Sequence, residues 1–154
     1  MIGAAAVAVG ANADTVTTNG VTWTYTVLDA TAKTISLDGA TTEGDRIDAA
    51  TFPGTLVIDD VAYTVTKLSE KAFDGNTKLK GVLAIPDSIT DLGGERIFTD
   101  CTGLTGVSSF GGLKGLYRSL FLGCSNLKGP LPSFSTFTTM NHYHTTGFQR
   151  QAKG

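Results

Sequence analysis

One pattern recurs three times between Val65 and Leu131, and nothing else in the chain constrains the fold as tightly. Phe73, Phe98 and Phe121 stand 25 and 23 residues apart. Six residues after each Phe comes Leu (Leu79, Leu104, Leu127), and eight after comes Gly (Gly81, Gly106, Gly129). Three after comes Asn76, then Cys101, then Cys124. Upstream, Val65/Leu68, Ile89/Leu92 and Leu113/Leu116 each set an aliphatic residue three positions before a Leu, and the second unit carries one extra residue between that Leu and its Phe. A unit this short cannot bury its own Phe and Leu side chains. Stacked on copies of itself, it supplies the wall its neighbour lacks.

A fixed period in the twenties with recurring Leu predicts a β-rich, leucine-rich-repeat solenoid of about three repeats, with few short helical turns. Each unit reads as a short apolar segment, a tight or helical turn carrying the Phe, and a strand such as Leu79–Ile85. The three Phe side chains are expected to form one ladder in the core. Strict alternation along the strands would turn Val82 and Ala84, then Val107 and Ser109, then Pro130 and Pro132 outward. These are small and mildly apolar, which suits a protein surface better than a charged ligand.

Ahead of the repeats, Val21-Thr22-Trp23-Thr24-Tyr25-Thr26-Val27 alternates with period two, as a half-buried strand does. Asn19-Gly20 precedes it as a turn. Asp29–Lys33 makes a second turn, and Thr34–Leu37 returns as partner strand. Trp23 and Tyr25 read as a stacking platform or, in this two-strand pattern, as an apolar lid over the first repeat. Residues 39–50 read as a polar loop. Leu56–Ile58 and Val61–Val65 flank Asp59-Asp60 as a hairpin whose central residues must accept positive φ. The division expected is a signal-peptide remnant at 1–13, an N-terminal β-hairpin cap at 14–62, repeats at 63–132 and an irregular tail at 133–154. Residues 1–13 are small and apolar and end in Ala11-Asn12-Ala13, the small-x-small form of a signal-peptidase site, although no Lys or Arg precedes them. Export is therefore expected, with Asp14 as the new N-terminus. No stretch approaches the roughly 20 apolar residues of a membrane-spanning helix.

The stretch from Lys67 to Gly93 resembles the BspA-type leucine-rich repeat, whose units run aliphatic-x-x-Ile-Gly-x-x-Ala-Phe-x-x-Cys-x-x-Leu-x-x-Leu-x-Ile-Pro. Ala72-Phe73, Leu79, Ile85-Pro86 and Ile89 carry the match, followed by Phe98, Cys101 and Leu104, then Phe121, Cys124 and Leu127. Residues 16–132 share the resemblance. Ile97 and Leu120 stand where that pattern has Ala, and Ser108-Ser109-Phe110 replaces its Ile-x-Ile-Pro. The resemblance implies a secreted or surface-attached bacterial protein that binds other proteins or host surfaces, and it implies no catalysis.

Chemistry is otherwise scarce. His142 and His144 alternate along the chain but have no Asp, Glu or Cys near them in the tail, short of the ligands a metal needs. Asp59-Asp60 lacks calcium-loop spacing. No nucleophile elbow occurs, and Gly111-Gly112-Leu113-Lys114-Gly115 is not a phosphate loop. Cys101 and Cys124 share one column of the repeat, which favours packed free thiols over a bridge. The charge is uneven: eight acids and two bases precede residue 63, six acids and ten bases follow, and the net is −2. This asymmetry could attract an anion to the C-terminal end or be balanced by sequence beyond the chain. Bases this scattered, at a pI near 5.5, do not make a nucleic-acid surface. The expectation is a monomeric, non-enzymatic surface protein without cofactor or metal, binding a protein or host-surface ligand. The alternative is a structural spacer or fragment of a larger surface repeat protein.

Overall fold

The computed structural model describes residues 13–115 and 119–129. It is built of strands and turns. Its one helical element among those residues is a single 3-10 turn, Ala49–Thr51, capped by the Asp48 carboxylate. The strands are β1 (Asp14–Thr18), β2 (Val21–Asp29), β3 (Thr34–Thr42), β4 (Ile47–Asp48), β5 (Thr55–Ile58), β6 (Val61–Leu68), β7 (Leu79–Ile85), β8 (Asp91–Leu92) and β9 (Leu104–Phe110).

Two sheets run through the molecule. The first has the order β1-β2-β3-β6-β5, with β8 also paired to β6. The second has the order β4-β7-β9. β1-β2, β2-β3 and β5-β6 are antiparallel, as short turns require, whereas β3-β6, β6-β8, β4-β7 and β7-β9 are parallel. The hairpin turns use left-handed backbone at both central positions: Asn19 and Gly20 in one, Asp59 and Asp60 in the other. That geometry matches the natural twist of the flanking strands, so Asp-Asp serves here where Asn-Gly is commoner.

The N-terminal segment is more than a lid. β3 extends to Thr42, beyond the expected Leu37, because Gly39–Thr42 pair with Val21–Thr24 of β2. Ile35 and Leu37 lie beside Val65 and Leu68 in the first sheet, and Ile47 lies beside Leu79 in the second. Residues 39–50, expected as a loop, thus hold the end of one strand and a second short strand. They form a rung on which the repeats stack. Trp23 and Tyr25 are buried, and Trp23 meets Phe52 edge-on at 5.7 Å.

Phe73, Phe98 and Phe121 are fully buried and stack in register. Ring centroids are 5.4 Å apart at both steps, with planes 7° and 8° from parallel. The segments carrying them are turns, not helical turns. In each, the residue two before the Phe (Lys71, Arg96, Ser119) and the residue two after it (Gly75, Asp100, Gly123) have positive φ, which an α-helix does not tolerate. Successive turns are laced by backbone bonds: Phe73 N–H donates to Ile97 O at 2.9 Å and Phe98 N–H to Leu120 O at 2.9 Å. Gly75 N–H donates to Thr99 O at 2.8 Å and Asp100 N–H to Leu122 O at 2.7 Å.

Two outcomes follow. Phe98→Ala opens a cavity in the middle of the ladder and should cost about 3–5 kcal/mol in a denaturant titration; a loss under about 1 kcal/mol would remove the ladder from the core. Gly123 has φ +78°, and a methyl there would land on the Asp100 carboxylate. Gly123→Ala should therefore cost about 1–3 kcal/mol. Adding Asp100→Gly should recover the steric part of that loss, measured as a coupling in a double-mutant cycle.

Candidate binding face

The outward side of β7 and β9 is the surface that alternation singled out. Lys80, Val82 and Ala84 of β7 are half-buried, and Thr105 and Ser108 of β9 are exposed, with Ser109 half-buried. Their inward neighbours Leu79, Leu83, Ile85, Leu104 and Phe110 are core. Val82 and Ala84 thus stand at half-exposed positions.

Val107 departs from the expectation. It is fully buried and pairs with Leu83. The reason is irregular register. Gly81 pairs with Leu104 but Val82 with Gly106, and Leu83 pairs with Val107 but Ala84 with Ser109. β9 therefore carries two extra residues, Thr105 and Ser108, which the bulges push outward. Each extra residue re-phases the alternation behind it. Ser109 is partly committed: its Oγ donates to Ile85 O at 3.0 Å and accepts from Gly111 N–H at 2.9 Å. Pro130 and Pro132 lie outside the described residues, as do 1–12 and the His142/His144 pair.

At the β4 edge, Arg46 and Asp48 pair at 3.5 Å. A polar knot lies at the joint between the N-terminal strands and the repeats. Asp38 accepts hydrogen bonds from Thr26 Oγ1 at 2.5 Å, from Ser36 Oγ at 2.8 Å and from Ser69 Oγ. Three hydroxyls satisfy one partly buried carboxylate and tie β2, β3 and the first Phe turn together. This role of Asp38 has no signature in sequence, because two of its three partners are 12 and 31 residues away.

The thiols are structural. Both are free and buried. Cys101 Sγ donates to Phe73 O and Cys124 Sγ to Phe98 O, each at 3.0 Å. Asn76 Nδ2, in the same column, donates to Ala40 O at 3.0 Å. Burial, above all, pushes the Cys124 thiol up to about 12, and it raises Cys101 well above the usual thiol range. Neither is a thiolate nucleophile near neutral pH. Among the described residues no group of three or more His, Cys, Asp or Glu is placed to hold a metal, and no helix is long and apolar enough to cross a membrane.

The architecture has counterparts among solved structures. One is a leucine-rich cell-surface protein from Faecalibacterium prausnitzii A2-165, with TM-score 0.56 and 21% identity, covering 82% of this chain and 31% of that one. Another is a leucine-rich-repeat protein from Bacteroides ovatus ATCC 8483, with TM-score 0.62 and 22% identity, covering 77% of this chain and 30% of that one. The fold is that of a leucine-rich repeat protein. The chain spans less than a third of the length of either counterpart. No protein-family model matches it, and neither does any curated protein.

The raised thiols carry a pH dependence. A folded-state pKa above the unfolded value means that the folded chain holds protons the unfolded chain releases. The stabilisation is complete below the ordinary thiol value of 9.0 and is lost as pH climbs from there towards about 12. Melting temperature should fall above about pH 9, more steeply for the native chain than for a Cys101→Ala/Cys124→Ala variant. Parallel curves would place both thiols at the surface.

Proposed function

We propose that this chain is a non-catalytic repeat protein of the BspA type, a short solenoid of about three leucine-rich repeats. It works outside the cell or on its surface, and it binds another protein or a host surface. The observation that carries the reading is the outward face of β7 and β9. Its small, mostly uncharged side chains (Val82, Ala84, Thr105, Ser108) project from a rigid parallel sheet, with Lys80 at one end. Such a face offers area and hydrogen-bonding capacity without the entropy cost of ordering long side chains. The fold it shares with a leucine-rich cell-surface protein supports the location, and the signal-like Ala11-Asn12-Ala13 supports export. A structural spacer within a longer protein is the second reading, favoured by the small share of its structural counterparts that the chain spans.

Two measurements separate these. Mass spectrometry of culture medium, cell envelope and cytoplasm should find the native protein in the first two, beginning at Asp14; confinement to the cytoplasm would sink the surface reading. A photo-crosslinker placed at Val82 or Ser108 in the native host should trap a defined partner, and Val82→Glu with Ser108→Glu should weaken that complex by about tenfold or more without shifting the melting temperature. Labelling no stronger than from a control site at Thr90 would favour the spacer.

A further inference from the structure

A cleft of about 440 Å³ opens beneath the β1–β2 turn, bounded by that turn, by the segment from Arg46 to Thr51, and by Pro53–Leu56. Clefts that hold small molecules occupy about 300–1,000 Å³. The wall offers polar groups of both kinds. Asn19, Thr51 and Thr55 are exposed at its rim. Val21 and Pro53, both half-buried, give it an apolar side, with the buried Trp23 behind them.

The charged pair in this cleft is held in place. Asp48 Oδ1 accepts from Ala50 N–H at 3.1 Å, which fixes the carboxylate at the start of the 3-10 turn. The Arg46 guanidinium rests over Gly81 of β7, where a side-chain carbon would come within 2.8 Å of Nη2 and where φ is +97°. Glycine at that position leaves room for the guanidinium. Both groups are about half exposed, at 53% and 46%. An ion pair this open contributes little to stability, so its donors and acceptors remain available to a ligand. The two formal charges cancel, which disfavours an anion or a cation as occupant.

We infer that this cleft binds a neutral saccharide. The apolar face of a pyranose ring would lie on Val21 and Pro53, over the buried Trp23. Its hydroxyls, each both donor and acceptor, would bridge Arg46, Asp48 and Asn19. Charge-assisted bonds to both members of the pair are the strong ones available. This site is separate from the face of β7 and β9, so either can fail without the other.

Trp23 is the sole tryptophan of the chain, so its emission reports on the cleft. The full chain is titrated with glucose, galactose, mannose and N-acetylglucosamine, and with lactose and cellobiose, using acetate and glycine as charged controls. At least one neutral sugar should give a saturable change with a millimolar dissociation constant. Arg46→Ala and Asp48→Asn should weaken it about tenfold or more, and Lys67→Ala should leave it unchanged. Asp48→Asn keeps an oxygen for the Ala50 cap and supplies the readout should Arg46→Ala unfold. The inference is overturned by the absence of saturation with every sugar, by acetate or glycine binding more tightly than any sugar, or by variants that bind as well as the native chain.

Discussion

The spacing between backbone rungs governs this molecule. Parallel strands hydrogen-bonded side by side lie about 4.7–4.9 Å apart, and every side chain at one repeat position must accept that interval. Flat rings do so well when slightly offset, and the 5.4 Å steps between Phe73, Phe98 and Phe121, nearly parallel, are that solution. The aromatic series changes character where the repeat stops. Phe52 meets Phe73 edge-on at 5.2 Å, and Trp23 in turn meets Phe52 edge-on. Phe52 also meets Phe98 edge-on at 6.2 Å, so it packs on the flank of the stack and does not continue it.

The same interval explains the backbone of the Phe turns. To send each N–H to the next rung, the peptide units beside the Phe must point along the stack, and an α-helix would spend those N–H groups on its own preceding turn. Left-handed residues two before and two after each Phe provide the reorientation. Five of the six lie in positions where the side chain is exposed or absent; Ser119 is half-buried. Asp100 occupies a left-handed position that is Gly in the turns on either side of it, and its carboxylate covers Gly123. The sequence pattern could not distinguish such a turn from a helical one, since both place the Phe inward after the same number of residues.

Much of the architecture was legible from columns of identical residues, because stacking converts periodicity directly into contact. The Phe ladder, the buried pairs Val65/Leu68 and Ile89/Leu92 and the shared column of Asn76, Cys101 and Cys124 all follow from it, while Leu116 of the third pair lies outside the described residues. What periodicity does not encode is departure from alternation. Val107 was expected to face outward and is buried, because Thr105 and Ser108 are extra residues in β9 that no propensity marks as such. The rung formed by Leu37 and Ile47 was missed for a related reason. Its loop is polar and glycine-rich, it lacks the Leu at the expected spacing, and only pairing to β6 and β7 reveals it. The Arg46–Gly81 contact is likewise invisible until β4 and β7 are set side by side.

The change from Asn to Cys along one column shows how burial selects a side chain when the hydrogen bond is fixed. Every member must donate once to a carbonyl of the preceding rung. An amide brings a second donor hydrogen and a carbonyl oxygen, which need partners of their own. Asn76 is only half-buried, and its Oδ1 accepts from Lys78 N–H at 3.2 Å. Cys101 and Cys124 are sealed between rungs, with no exposed surface. An amide there would leave polar atoms unpaired at about 1–3 kcal/mol each, whereas a thiol has one weak donor and otherwise packs as a small hydrophobe. The burial that suits a thiol to this column also holds its proton, so the groups that look most reactive in the sequence are inert in the fold.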